Sequence, residues 1–171
     1  LTSNGPLADG DGANDVTAVD LILKGDSGVG TGANPIQTTV SRLDVSNTSG
    51  GGIFVTNSGA LELTDLDADT LAVDGVGGGG AIVANSPLTI SSDAITSGGM
   101  TYTATDSAAA GDDLTVNAGV TVQDTTAQLT FNVGDDVIIN PGSTLDAGTV
   151  LTINGDTGGV VDAAGSTMDL N

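Results

Sequence analysis

The chain contains no cysteine, no histidine and no tryptophan, and its aromatic residues, Phe54, Tyr102 and Phe131, make up 2% of it. Without His or Cys, the usual pairings of a nucleophile with a base cannot be built. Lys24 leaves a Ser–Lys dyad as a formal option, but a solitary lysine is ordinarily a solvated surface group. The missing cysteines also leave the redox compartment unread. The scarcity of rings means that a core must be assembled from small aliphatic and β-branched side chains, which suits thin, regular layers better than a deep interior.

Positive charge is the next thing in short supply. Lys24 and Arg42 face 22 acidic residues, for a net charge of −20. Such a polyanion gains nothing from counterion release on nucleic acid and is repelled by anionic lipid, so neither is expected as a partner. No run approaches the ~18 apolar residues of a membrane span, and no secretory leader pattern opens at Leu1. The sequence reads as a mature or excised piece of an exported protein, extracellular or at the cell surface. Its near-lack of lysine fits a salty or calcium-rich exterior where self-repulsion is screened, or simple selection for solubility. Apart from Glu62 every acid is an aspartate, a residue of turns and strand ends more than of helices.

Helix signals are close to absent, because Gly, Asn, Asp, Ser and Thr interrupt every stretch before three turns could form. What is present is strand and turn. Alternating or β-branched runs recur at 19–23, 36–45, 53–56, 61–66, 71–73, 81–84, 88–91, 100–105, 114–116, 121–123, 129–132, 137–140 and 151–154, punctuated by glycine and Asx residues. The segment Gly111-Asp112-Asp113-Leu114-Thr115-Val116-Asn117-Ala118-Gly119 returns 23 residues later as Gly134-Asp135-Asp136-Val137-Ile138-Ile139-Asn140-Pro141-Gly142. Gly142-Ser143-Thr144-Leu145-Asp146 returns at the same offset as Gly165-Ser166-Thr167-Met168-Asp169. Leu114-Thr115-Val116-Asn117 is echoed at 129–132 and 151–154, and 53–58 is echoed more loosely at 81–86, spaced by 28.

Repeats of ~20 to 30 residues with short strands and no helix are what one coil of a parallel β-helix requires. The expected fold is therefore all-β, a parallel β-helix (β-solenoid) of about seven coils, stacked ~4.8 Å apart. The alternative is a β-sandwich, Ig-like or jelly roll, which also has many short strands. Residues 1–28 read as an acidic lead-in or linker with the first strand, and 29–171 as the repetitive solenoid. The glycine run 77–80 marks a sharp corner or a protruding loop.

The Gly-Asp-Asp-[Leu/Val]-x-[Val/Ile]-Asn-x-Gly repeat, Gly-Ser-Thr-x-Asp, Gly51-Gly52-Ile53-Phe54-Val55 and Leu151-Thr152-Ile153-Asn154-Gly155-Asp156 resemble segments of filamentous-haemagglutinin-like and other giant repetitive bacterial surface proteins. That resemblance covers about residues 29–171. It implies a right-handed β-helical rod that serves as adhesin, filament or surface coat.

Calcium is the small ligand best matched to these side chains, because it takes 6 to 8 oxygens from carboxylates, carbonyls and water. Asp9, Asp11, Asn14 and Asp15 sit in a glycine-spaced loop able to wrap an ion. Asp65, Asp67 and Asp69 alternate, so on an extended strand they would face one side, where a cation would relieve their repulsion. Either cluster is equally readable as a solvated acidic edge that discourages aggregation. Asp112-Asp113 and Asp135-Asp136 resemble the paired carboxylates of glycosidases, but their recurrence at the repeat period points to a corner role. Thr101, Thr103 and Thr105 align three hydroxyls; only scattered threonine elsewhere echoes them, so strand propensity accounts for the line.

The expected function is a non-enzymatic structural or adhesive module, a segment of a surface rod or a filament subunit. It would join end to end with copies of itself or continue into neighbouring repeats, and meet a surface glycan or receptor. The alternatives are a calcium-dependent carbohydrate-binding sandwich module and, less favoured, a polysaccharide hydrolase on a β-helix.

Overall fold

Strand after strand alternates a buried side chain with a half-exposed one: Met100, Tyr102 and Ala104 point inward from one segment while Thr101 and Thr103 face out. Period two is the mark of a pleated strand with one wet face. A computed structural model describes residues 1–106 and 111–155 and the strand backbones at 159–162 and 167–170.

The chain opens with β1 (Thr2–Ser3) and β2 (Val16–Thr17), continues with β3 (Asp20–Gly25) and β4 (Ile36–Thr39), then β5 (Arg42–Asn47) and β6 (Ile53–Asn57). From there each turn carries three strands. These are β7 (Leu61–Leu63), β8 (Leu71–Gly75) and β9 (Gly80–Ala84), then β10 (Leu88–Ile90), β11 (Asp93–Thr96) and β12 (Met100–Ala104). β13 (Leu114–Val116), β14 (Thr121–Asp124) and β15 (Leu129–Val133) follow, then β16 (Asp136–Ile139), β17 (Thr144–Ala147) and β18 (Leu151–Gly155). β19 (Gly159–Asp162) and β20 (Thr167–Leu170) come last.

Every pairing between these strands is parallel. One sheet has thirteen strands and the other seven, in the order β18-β15-β12-β9-β6-β4-β2. Each strand lies on its equivalent from the turn before, which is the parallel β-helix; the antiparallel pairing of a sandwich is not found among the described residues. The seven-stranded sheet marks one strand per turn, in line with about seven coils. The lead-in enters the same ladder, β1 on β3 and β2 on β4.

Sequence repetition and spatial register coincide in the later turns. Leu114, Thr115 and Val116 pair with Val137, Ile138 and Ile139, and Thr144, Leu145 and Asp146 with Thr167, Met168 and Asp169; Gly165 and Ser166 lie outside the described residues. The looser echo is one residue out. Val55 pairs with Ile82 and Phe54 with Ala81, because the 28-residue alignment would have turned Ile82 outward and Val83 in.

Inside, Leu, Val and Ile stack into one continuous core, including Leu23, Leu43, Leu63 and Ile90, all fully buried. Each such side chain contributes roughly 1.5 to 3 kcal/mol of transfer free energy. Tyr102 and Phe131 stack with ring centroids 5.8 Å apart. The Tyr102 hydroxyl is buried without a hydrogen-bond partner, and that burial pushes its pKa up. The run 77–80 is a corner, packed on the glycines of adjoining turns: a Cβ on Gly79 would lie 2.6 Å from the carbonyl oxygens of both Gly98 and Gly99.

Candidate metal centre

The branch point of the larger sheet creates the more enclosed acidic site. β5 lies on β3 along its whole length. On its other side, Arg42 and Leu43 pair with Glu62 and Leu63 of β7, whereas Val45, Ser46 and Asn47 pair with Val73, Asp74 and Gly75 of β8. Asp44 stands at the fork, and residues 64–70, between β7 and β8, leave the ladder there. This excursion folds over Asp44, which is 2% exposed, and the Leu66 amide donates to its Oδ2 at 2.9 Å.

The alternating aspartates of this stretch do not lie on a strand as their spacing predicts, since β7 ends at Leu63. Short aspartate side chains compete with the ladder for backbone N–H groups, and here they win. Asp65 Oδ1 accepts from the amides of Asp67 and Ala68, and its Oδ2 from that of Thr70. Asp69 Oδ1 accepts from the amide of Leu71. The resulting loop brings Asp65 and Asp67 to Asp44, with one carboxylate oxygen from each within 4.8 Å of the others. Asp69 stays exposed and outside that group.

Lys24, on β3, forms an ion pair with Asp67. The ammonium beside it holds the Asp67 carboxyl below the usual range, and the hydrogen bond to Asp67 raises Lys24 in turn. Burial pushes Asp44 up to about 6; the Leu66 amide opposes the shift, and the charges of Asp67 and Asp69 add to it. Asp74, beside the same loop, is raised by burial and by Asp69. The site thus holds three carboxylates against one ammonium.

The lead-in loop gathers a second group. Asp9, Asp11 and Asp15 each bring an oxygen within 4.8 Å of the others, and Asp9 is only 8% exposed. Asp9 caps its own loop by accepting from the amides of Asp11 and Gly12, and Asp15 Oδ2 accepts from the Gln37 amide of β4 at 2.9 Å. The Asn14 side chain turns instead to the hydroxyls of Thr17 and Thr39. Both groups offer the hard oxygen donors that divalent cations select, and either could hold a metal ion.

Asp44 was not legible as a member of the site, because on a strand reading Arg42-Leu43-Asp44-Val45 simply points its aspartate to solvent. The trace of its role in the sequence is the stretch 64–70, too polar to continue β7. The paired acids at 112–113 and 135–136 brace a corner. Asp135 Oδ2 accepts from the amides of Gly111 and Asp112, and Asp113 Oδ1 from that of Asp136.

No known family model, curated protein or solved structure matches the chain. No helix among the described residues is long and apolar enough to cross a membrane.

Proposed function

We propose that this chain is a section of an extracellular or cell-surface rod, a structural or adhesive element without catalytic activity, of the kind built by the filamentous-haemagglutinin-like proteins it resembles. The observation that carries this reading is the unbroken parallel register, which runs from β2 through β18 on one sheet. A stack of this kind grows by adding turns, its stability is nearly a sum over neighbours, and its strand edges invite continuation by further repeats or by another copy. A net charge of −20 keeps the flanks of such rods apart in solution.

Calcium is the cation we assign to the two acidic groups. At Asp44, Asp65 and Asp67 it would take the counter-ion role that Lys24 fills in part, and so fix the loop 64–70 onto the rod. At Asp9, Asp11 and Asp15 it would fix the first turn. Negative-stain electron microscopy with calcium and with chelator tests the reading. Stiff rods or end-to-end filaments in calcium, shortened or lost on chelation, are expected; compact, monodisperse particles in both conditions would overturn it.

A further inference from the structure

The outward face of the seven-stranded sheet carries no charged side chain from β6 to β18, on a chain whose net charge is −20. Its outward residues form two ranks. In the first, Phe54, Ala81, Thr101, Thr130 and Thr152 follow one another in register. In the second, Thr56, Val83, Thr103, Asn132 and Asn154 do the same. The threonine line that strand propensity alone was expected to explain therefore continues from turn to turn, although Thr105 falls beyond the end of β12. The larger sheet differs: its rank Ser46, Asp74, Ile95, Gln123 and Asp146 includes two aspartates.

Two shallow concavities lie on this face, the first spanning both ranks and the second along the second rank. One, of about 200 Å³, has an apolar floor of Phe54, Pro35, Ala81 and Val83, with Thr56 beside it. The other, of about 340 Å³, is lined by Thr103, Asn132 and Asn154, with Asp106 contributing to its wall. The Asn154 amide donates to Asn132 Oδ1 at 2.8 Å, linking the last two members of the rank along the axis.

The face limits its occupant in three ways. Five strands at ~4.8 Å and two ranks one pleat apart give a strip of a few hundred Å², well under the ~800 Å² that each partner in a stable protein complex buries. That excludes a second copy and suits a narrow, linear ligand. An anionic ligand is repelled by the whole chain, and a cationic one would settle on the aspartate-rich surfaces. What remains is uncharged. Threonine hydroxyls and asparagine amides each offer a donor and an acceptor, once per strand spacing, and Phe54 and Val83 offer an apolar patch. An extended β-1,4-linked glycan presents hydroxyls and apolar ring faces at nearly that spacing.

We propose that this face binds a neutral, extended polysaccharide along the rod axis. Phe54 lies against the apolar face of one sugar, and Thr103, Asn132 and Asn154 bond hydroxyls further along. The site needs the fold but neither calcium nor the rod-forming role, so the two readings fail separately.

The test is retention of the 171-residue chain on cellulose and on chitin, with alginate as the anionic control, all in chelator. Retention on at least one of the neutral polymers and none on alginate is expected. The double variant Thr103→Asp, Thr130→Asp should lose roughly tenfold or more in affinity. Thr115→Asp, on the outer side of the larger sheet, should bind as the parent does, with circular dichroism confirming that all variants fold. No retention on either neutral polymer, equal loss with Thr115→Asp, or preference for alginate would overturn the proposal. So would ice shaping without glycan binding, which would assign the face to ordered water.

Discussion

Successive corners at one position of this rod are closed by opposite means. In the earlier turns backbone meets backbone. A Cβ on Gly28 would lie 3.0 Å from the Gly51 carbonyl oxygen, one on Gly52 would lie 2.6 Å from that of Gly79, and one on Gly98 would lie 2.6 Å from the Gly79 nitrogen. In the next turn Ala127 and Gln128 occupy the corresponding place against Gly99, and a fully buried carboxylate, Asp124, does the work instead. Its Oδ1 accepts from the amides of Thr126 and Ala127, and its Oδ2 from the Gly99 amide and the Thr96 hydroxyl. One corner tolerates no side chain and the other depends on one, so the same register is kept by excluding atoms in one region and by saturating hydrogen bonds in the other.

The contrast between the two kinds of corner is greatest at Gly79. Gly79→Ala adds a methyl against two backbone oxygens at a φ of +63°, and should lower stability in urea by more than about 4 kcal/mol or prevent folding. Gly119→Ala has a similar φ of +76° but open space around it, and should lose only about 1 to 2 kcal/mol, the backbone term alone. Similar losses for the two would show that the glycine stack does not matter as a stack.

Asp124→Ala removes the acceptors of the later corner and leaves several buried donors unmade, for an expected loss of about 3 kcal/mol by urea melts. Asp124→Asn, which keeps one acceptor oxygen, should lose distinctly less. If both variants matched the parent, the carboxylate would not be what closes the corner.

A smaller, pH-dependent effect than that of Asp124→Ala concerns the branch point. Asp44 titrates near 6 in the folded chain because it is buried, so its contribution is most favourable below about pH 4 and is lost as pH rises through about 6. In chelator, Asp44→Asn should therefore be the more stable protein above pH 6 by roughly 2 kcal/mol. That gain should fade toward pH 4 and be offset in the parent by added calcium. A parent whose melting temperature is flat across this range, with and without calcium, would contradict the site.

Much of this architecture was readable in the sequence, and the failures have specific causes. β12 and β15 follow from alternation, and the 23-residue repeat is the spatial register itself. β11 and β17 are not legible because each is four residues with an aspartate, set between serine and glycine residues, a composition that reads as turn. The run 36–45 reads as one strand yet is two, β4 and β5. No glycine or proline bends it there. The bend is made by Asn57 from the following strand, whose Oδ1 accepts from the Val40 amide and the Thr38 hydroxyl while its Nδ2 donates to the Val40 carbonyl. Asp44 was hidden for the same reason: its burial is produced by a loop of the next turn. Patterns that live within one strand are legible, and those supplied by a neighbouring turn are not.

The stack is continuous across the change of corner chemistry and the fork at β5. The chain has no cysteine of its own, so spin labels can be placed on Asp20→Cys and Ile138→Cys, which lie on one rank through Arg42, Glu62, Thr89 and Thr115. Five strand spacings put their backbones ~24 Å apart. Pulsed electron paramagnetic resonance should return a single narrow distance consistent with that span; a broad or divided distribution, or one centred far from it, would contradict the continuous rod.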